Sequence, residues 1–283
     1  MRNVLIICSL FMFSCVRSQG LSYEDVSQDS RFKIIDADIN RDGIKDKVVY
    51  NTQGNELNFY VNKTGSFVGV YYGDNYNMDG VYYVSDIHSF TEGDNVLYLK
   101  SGFNGAGGQT IEYFISYNNN NWCLSKSFTN SSSYKEFKVC EIDYLREGEN
   151  ENCLNLNFDS FSEEGVLFEL GMVLKEKQHI GLFSTEFLFC ILNTYPLSVG
   201  NVTFYNDLAF YLEQVDSNKE AVYLLKVILQ KFSNRTVAYI NLGDAYWKLD
   251  EIDLAKAAYR KYVDLMIING LEDKIPSRVM ERV

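Results

Sequence analysis

Two periods divide the chain. From about residue 32 to residue 158, apolar and polar residues alternate in short runs. "KVVYNT", "ELNFYVNKTGSFVGVYY", "GVYYVSDIHSF", "NVLYLKSG", "QTIEYFISYNNNNWCLSKSF" and "KEFKVCEIDYL" are rich in Val, Ile, Tyr and Phe. Period two with β-branched and aromatic residues predicts strands. The runs are parted by "NKTG", "TEGDN" and "YNNNNW", which read as hairpin turns. From about Glu163 apolar residues recur at steps of three and four, and Ala and Leu replace the β-branched residues. That pattern predicts amphipathic helices. "STEFLFCILNTYPL" reads as a helix with Ser184 or Thr185 as its N-cap. The fold class is therefore α+β, a mainly antiparallel β-domain followed by an α-helical hairpin array. The expected boundaries are 19–160 for the β-domain, 161–201 for a connecting or capping helical segment, and 202–283 for the helical domain.

The first residues follow neither period. "MRNVLIICSLFMFSCVRSQG" has a basic Arg2, an apolar run from Val4 to Phe13, then small and polar residues. This reads as a signal peptide over residues 1–18, cut after Ser18, with lipidation at Cys15 as the alternative and the only expected route to a membrane. Export changes the meaning of the cysteines. Four follow the signal segment, at Cys123, Cys140, Cys153 and Cys190, and in an oxidising compartment an even number suggests pairing. Adjacent β-like segments favour Cys140 with Cys153, or Cys123 with Cys140; four buried thiols are the other reading. The chain of 283 residues has a formal net charge of −12. Nucleic acid is excluded as a partner on charge, whereas a cationic partner or a metal ion fits.

The helical half overlays on itself when shifted by 34 residues. Leu208 falls on Leu242, Ala209 on Gly243, Ala221 on Ala255 and Leu225 on Tyr259. Small residues recur where paired helices approach closely and large ones where a gap must be filled. "AYINLGDAYWKLDEIDLAKAAYRKYVDL" resembles the tetratricopeptide repeat, with Tyr239, Leu242, Gly243, Tyr246, Ala255 and Tyr259 at the consensus positions. Residues 202–235 give a weaker copy, and both lack the motif's terminal proline. Asn234 or Thr236 is expected to cap the next helix. Gly270 fits a position just past a helix, and "EDKIPSRVMERV" reads as a short closing helix with Pro276 near its first turn. The resemblance implies protein binding on a concave face lined by the first helix of each pair. That face would carry Asn206, Phe210 and Glu213 from one repeat, and Ile240, Asp244, Trp247 and Lys248 from the next.

In the β half, "DADINRDGIKDKVVY" places Asp38, Asn40, Asp42, Ile44 and Asp46 at alternate positions around Gly43. Oxygen ligands then lie on one side of a tightly curled loop, as calcium requires, with Ile44 giving its backbone carbonyl. Val49 stands where an EF-hand has its closing Glu, and the following segment is a strand. The stretch resembles instead the D-x-N-x-D-G-x-x-D loop of FG-GAP and VCBS-type β repeats, which implies one structural calcium ion. The competing reading is an Asx-rich turn. "NYNMDGVYY" puts Asn75, Asn77, Asp79 and Gly80 in similar places, but Tyr83 replaces the closing acid.

Other chemistry is sparse. The glycines of "SGFNGAGGQTIEYF" are flanked by strands and lack the helix and Lys of a phosphate loop. Neither His88 nor His179 sits in a nucleophile or metal pattern, and no GxSxG or HExxH signature occurs. Sequons stand at Asn62, Asn130, Asn201 and Asn234, which carry glycans only in a eukaryotic secreted protein; a bacterial origin is the favoured one. The reading is an exported, periplasmic or envelope, non-catalytic protein-binding module. An immunity or inhibitor protein that neutralises a periplasmic toxin, and an envelope-polymer hydrolase, are the alternatives.

Overall fold

Strands occupy the alternating half and helices the rest, as the two periods predict. The computed structural model describes residues 20–54, 56–73, 76, 82–89, 96–103, 109–118, 121–132, 135–146, 151–159 and 162–283. The stretch expected as a signal peptide, most of the expected Asn75–Gly80 turn and the "TEGDN" segment lie outside the described residues. The chain divides into two compact units. One is the chain up to Thr129 with Glu141–Glu151; the other is Asn130–Cys140 with Asn152–Val283.

The first sheet contains β1 (Phe32–Ala37), β2 (Asp46–Asn51), β3 (Leu57–Lys63) and β4 (Ser66–Gly73), in that order and antiparallel. The second contains β5 (Tyr82–Ser89), β6 (Val96–Phe103), β7 (Thr110–Asn118), β8 (Asn121–Ser132), β9 (Glu136–Asp143) and β10 (Glu151–Asn157), each beside its neighbour in sequence. The "NKTG" turn behaves as expected. Lys63 pairs with Ser66, and Thr64 and Gly65 both take positive φ, 54° and 94°. Such a mirror-type turn matches the twist of its strands. The glycine-rich stretch after β6 likewise joins paired strands, with Gly102 opposite Thr110.

Alternation decides which side chains enter the core. Val48 and Tyr50 of β2, and Leu57, Phe59 and Val61 of β3, share one cluster with Leu97, Leu99, Ile111, Tyr113 and Ile115 of β6 and β7. Phe59 meets Trp122 edge-on at 5.8 Å, a favoured aromatic geometry. The intervening Val49 and Tyr60 point to the opposite face, where they pack with Val26 and Tyr23. Those two residues belong to α1 (Tyr23–Gln28), a helix that the periodicity does not announce. Ser22 caps it by accepting from the Asp25 N–H, and the Tyr60 hydroxyl donates to the Leu21 carbonyl at 2.8 Å. Burial pushes the Tyr60 phenol up to about 12.

The second unit carries α2 (Glu163–Lys175), α3 (Thr185–Thr194), α4 (Val202–Gln214), α5 (Asn218–Lys231), α6 (Thr236–Lys248), α7 (Ile252–Ile268) and α8 (Ser277–Arg282). Ser184 caps α3 by accepting from the Phe187 N–H, and Ser162 caps α2 in the same way. Pro276 stands just before α8. Gly270, at φ 65°, ends α7 with Leu271 N–H on the Met266 carbonyl, a left-handed stop for which glycine has no steric cost. The expected caps of α6 are corrected. Arg235 holds the N-cap position and no side chain caps the helix; the guanidinium of Arg235 donates instead to the Thr203 hydroxyl at 3.2 Å. Ala238 in the first turn is fully buried, and tertiary packing can hold a helix without a cap.

Residues 162–201, within the stretch expected as a connecting or capping helical segment, carry α2 and α3. α2, α4 and α6 all end in one turn. Lys177, Asp216 and Asp250 take φ of 58°, 64° and 62°. The next N–H in each case, of Gln178, Ser217 and Glu251, reaches back to the carbonyl of Val173, Leu212 and Tyr246. α2 packs on α4 and α4 on α6. α2 thus extends the row of first helices by one, while α3 packs on α5.

Cys140 and Cys153 form a disulfide across 13 positions, one of the two expected pairings; the Cys123–Cys140 alternative is therefore not the one adopted. Cys190 is buried and takes no part in that bridge. A closed loop of this size removes unfolded-state entropy worth roughly 3 kcal/mol. Cys153→Ser should accordingly lower the urea midpoint under non-reducing conditions by an amount equivalent to about 2–3 kcal/mol. A midpoint unchanged from the native protein counts against the bridge.

Candidate functional site

The helical face is built from the small–large pairing of α6 and α7. Gly243 has no side chain, and the Tyr259 ring lies against it so closely that a β-carbon there would come within 2.5 Å. The ring is fully buried, and its hydroxyl donates to Asp244 Oδ1 at 2.8 Å. Burial first, and then this bond to a carboxylate, push the Tyr259 phenol up to about 12. Asp244 also receives Arg278 at 2.7 Å and Arg282 at 3.4 Å. Arg282 donates to the Tyr259 hydroxyl at 2.8 Å and its guanidinium carbon lies 4.5 Å from the centre of the Trp247 ring. The carboxylate thus joins α6, α7 and α8.

The seven residues expected to line a partner face occupy four situations. Asp244 and Trp247 are engaged by α8. Glu213 and Lys248 pair with each other at 2.9 Å, and the Lys248 ammonium also reaches the Glu213 carbonyl at 2.7 Å and Asp216 at 3.2 Å. Burial alone would depress the Lys248 pKa, but its bonds to Glu213 and Asp216 outweigh that and raise it. This pair ties α4 to α6. Asn206 is buried, with its Oδ1 lacking a hydrogen bond, and Ile240 is half-buried against the α7–α8 cluster. Phe210 stands open, 41% exposed, touching only the ring edge of Tyr211 among the aromatic contacts of the described residues. Phe168 of α2, which the sequence reading did not single out, is 51% exposed. The place of α2 beside α4 is not legible from the 34-residue period, because the spacing from Lys177 to Asp216 is longer than that from Asp216 to Asp250.

The aspartate loop connects β1 to β2 and begins after the Ala37–Asp46 pair. Arg41 and Gly43 take φ of 59° and 83°, so the bend expected at Gly43 is present. The carboxylates turn inward onto the loop's own backbone. Asp38 accepts from the N–H groups of Asp42 and Gly43 at 3.1 and 2.9 Å, and Asp42 accepts from Ile44 N–H at 2.8 Å. Asn40 donates its side-chain amide to Asp42 at 2.9 Å. Asp46 is fully buried and accepts from Ile39 N–H at 3.1 Å and Asn62 N–H at 2.8 Å. Burial raises its pKa; the N–H groups oppose the rise and the charge of Asp42 adds to it. The carboxylates of Asp38, Asp42 and Asp46 do not bring one oxygen each to within 4.8 Å of one another. Each oxygen keeps a second lone pair, so hard donors of the kind calcium takes are present on one loop. Ile44 contributes an exposed side chain.

Two of the four sequons are unavailable for modification. Asn130 and Asn201 are buried, and the Asn201 amide is engaged at both ends, by Ser198 N–H and the Pro196 carbonyl. His179 begins a short helical turn and lies 3.3 Å from the Asn152 side chain. Among the described residues no helix is long and apolar enough to cross a membrane.

A family model described as tetratricopeptide repeat matches residues 237–265. The match spans α6 and nearly all of α7, the hairpin that carries Gly243, Asp244, Trp247 and Tyr259. No curated protein matches the chain. The last full hairpin of the helical unit is thus similar to a tetratricopeptide repeat, a kind of scaffold that typically binds protein partners.

Gly243→Ala tests the contact on which this face rests. Alanine favours a helix by about 1 kcal/mol over glycine, while overpacking costs roughly 1–3 kcal/mol. The Tyr259 ring is fixed by its hydroxyl and has little room to withdraw. The variant should therefore lose stability by urea denaturation; a gain shows that the ring yields.

Proposed function

We propose that the protein is an exported, non-catalytic protein-binding module of the periplasm or envelope, which engages its partner through the first helices of the stacked hairpins. The observation that carries the reading is the exposed Phe210 on the same helical face as Asp244, one repeat earlier, in an array whose last hairpin matches the tetratricopeptide model. A large exposed aromatic ring on a rigid scaffold is the kind of anchor that dominates interfaces. The Cys140–Cys153 bridge supports an oxidising compartment, as does the apolar leader at residues 1–18. The acidic balance of −12 favours a cationic partner.

The test is affinity capture from cell-envelope extract with the native chain and with Phe210→Ser. The variant should keep its melting temperature within about 2 °C, as exposed substitutions do, and lose at least one captured protein. Identical captures by both overturn the reading. A basic toxin in the capture would narrow the function to neutralisation, and a bound envelope polymer would favour a hydrolase.

The aspartate loop carries a second proposal, a structural calcium ion held by Asp38, Asn40, Asp42, Asp46 and the Ile44 carbonyl. Its support is the alternate spacing of hard oxygen donors and the concentration of three acids on one bend, whose mutual repulsion a cation would relieve. With a dissociation constant of about 10⁻⁴ M, a site in about 10 mM calcium would stabilise the fold by about 2.7 kcal/mol. Melting with calcium and with chelator should differ by several degrees, and Asp42→Asn should erase the difference. Coincident curves for the native chain remove the ion and leave the Asx turn.

A further inference from the structure

Helix α8 is held to α6 and α7 by two arginines and one apolar side chain. Val279 is its buried residue, packed with Tyr259, Tyr262 and Met266, while Met280 is 58% exposed. Six residues cannot sustain a helix by themselves, so the helical form of α8 depends on its seat. Arg278 and Arg282 stand one turn apart and converge on the Asp244 carboxylate. Arg282 also stacks over Trp247 and donates to the Tyr259 hydroxyl. Carboxylate, indole and hydroxyl together match what a guanidinium offers: a planar fork of donors and a stacking face. A stacking cap holds by a broad apolar stripe. Here one side chain is buried and the rest of the grip is polar, with side-chain exposures of 47% and 29% for the two arginines, and a second guanidinium-bearing helix can replace such a grip in kind.

We propose that Asp244, Trp247 and Tyr259 form a docking site for a helix-forming protein segment carrying two arginines four residues apart around an apolar residue, and that α8 is the chain's own occupant, displaced when the partner binds. The proposal rests on the protein-binding reading and names the chemistry of the partner. Charge complementarity favours this occupant, since the chain as a whole is acidic and the receiving groups are a carboxylate and two aromatic rings. The short link from α7 gives α8 an effective concentration on the order of millimolar. A segment offered in trans therefore competes poorly until α8 is loosened.

The probe is a fluorescein-labelled synthetic peptide of residues 271–283, titrated against the full chain. Arg278→Ala/Arg282→Ala weakens the resident helix and should bind the peptide at least tenfold more tightly than the native chain. Adding Asp244→Asn should return binding to the native level or below, and a peptide with both arginines replaced by alanine should not bind. In the native chain, saturating peptide should speed amide exchange at residues 277–282 while leaving α7 protected. Equal binding to the native chain and the double variant, or none to either, overturns the proposal. So does unfolding of the double variant, because α8 is then a cap on which the hairpin depends. Loss of partners by Phe210→Ser without any peptide exchange would leave the protein-binding reading standing and remove this one.

Discussion

The close approach of Tyr259 to Gly243 sets the geometry of the helical face. The ring can lie flat against α6 only because position 243 has no β-carbon. Lying there, it carries its hydroxyl to Asp244, the neighbouring residue, at 2.8 Å. That bond orients the carboxylate, and the oriented carboxylate receives Arg278 and Arg282. One packing constraint in the interior thus fixes a polar arrangement at the surface. The order of causes runs from residue size to helix spacing, then to the placement of a charge.

The β unit uses a carboxylate in a comparable way. Asp46 is fully buried at the head of β2, and its oxygens accept backbone N–H groups from both the preceding loop and the neighbouring strand β3. A buried carboxylate is costly unless its lone pairs are used. Here they hold the curled loop against the sheet edge at Ile39, itself a core residue. The loop's acids therefore have a structural employment independent of any ion.

Strands, turns and most helices were legible because they follow from local chemistry. Alternation in "ELNFYVN" places Leu57, Phe59 and Val61 in one core and Tyr60 on the other face, as period two requires. Ser184 starts α3 through its hydroxyl, and Gly270 stops α7 because it has no side chain to oppose a positive φ. The place of α2 in the row of first helices was illegible because its longer spacing hides it; its recurring signal is the left-handed turn at Lys177, a residue type that does not advertise positive φ. α1 was missed because six residues give too short a window for a period. Within the candidate site, the small–large pair Gly243 and Tyr259 was readable from the 34-residue overlay. The partners of Asp244 and Lys248 were not. They depend on contacts between distant helices, which no local pattern encodes.

The placement of charge on the helical face separates two kinds of residue that the sequence groups together. Glu213 and Lys248 span α4 and α6 and are braced further by Asp216 and a carbonyl; with Glu213 buried, breaking this pair would strand a charge in the interior. Asp244 and Trp247 face a helix of six residues whose two arginines stay partly exposed. The first pair is committed to the stacking of the hairpins, and the second to a contact with one short helix, whose single buried side chain, Val279, packs on Tyr259, Tyr262 and Met266. A face organised in this way can change its occupant at one end while its framework stays assembled. The difference follows from burial, not from residue type, since each of the two contacts is a carboxylate joined to a cation.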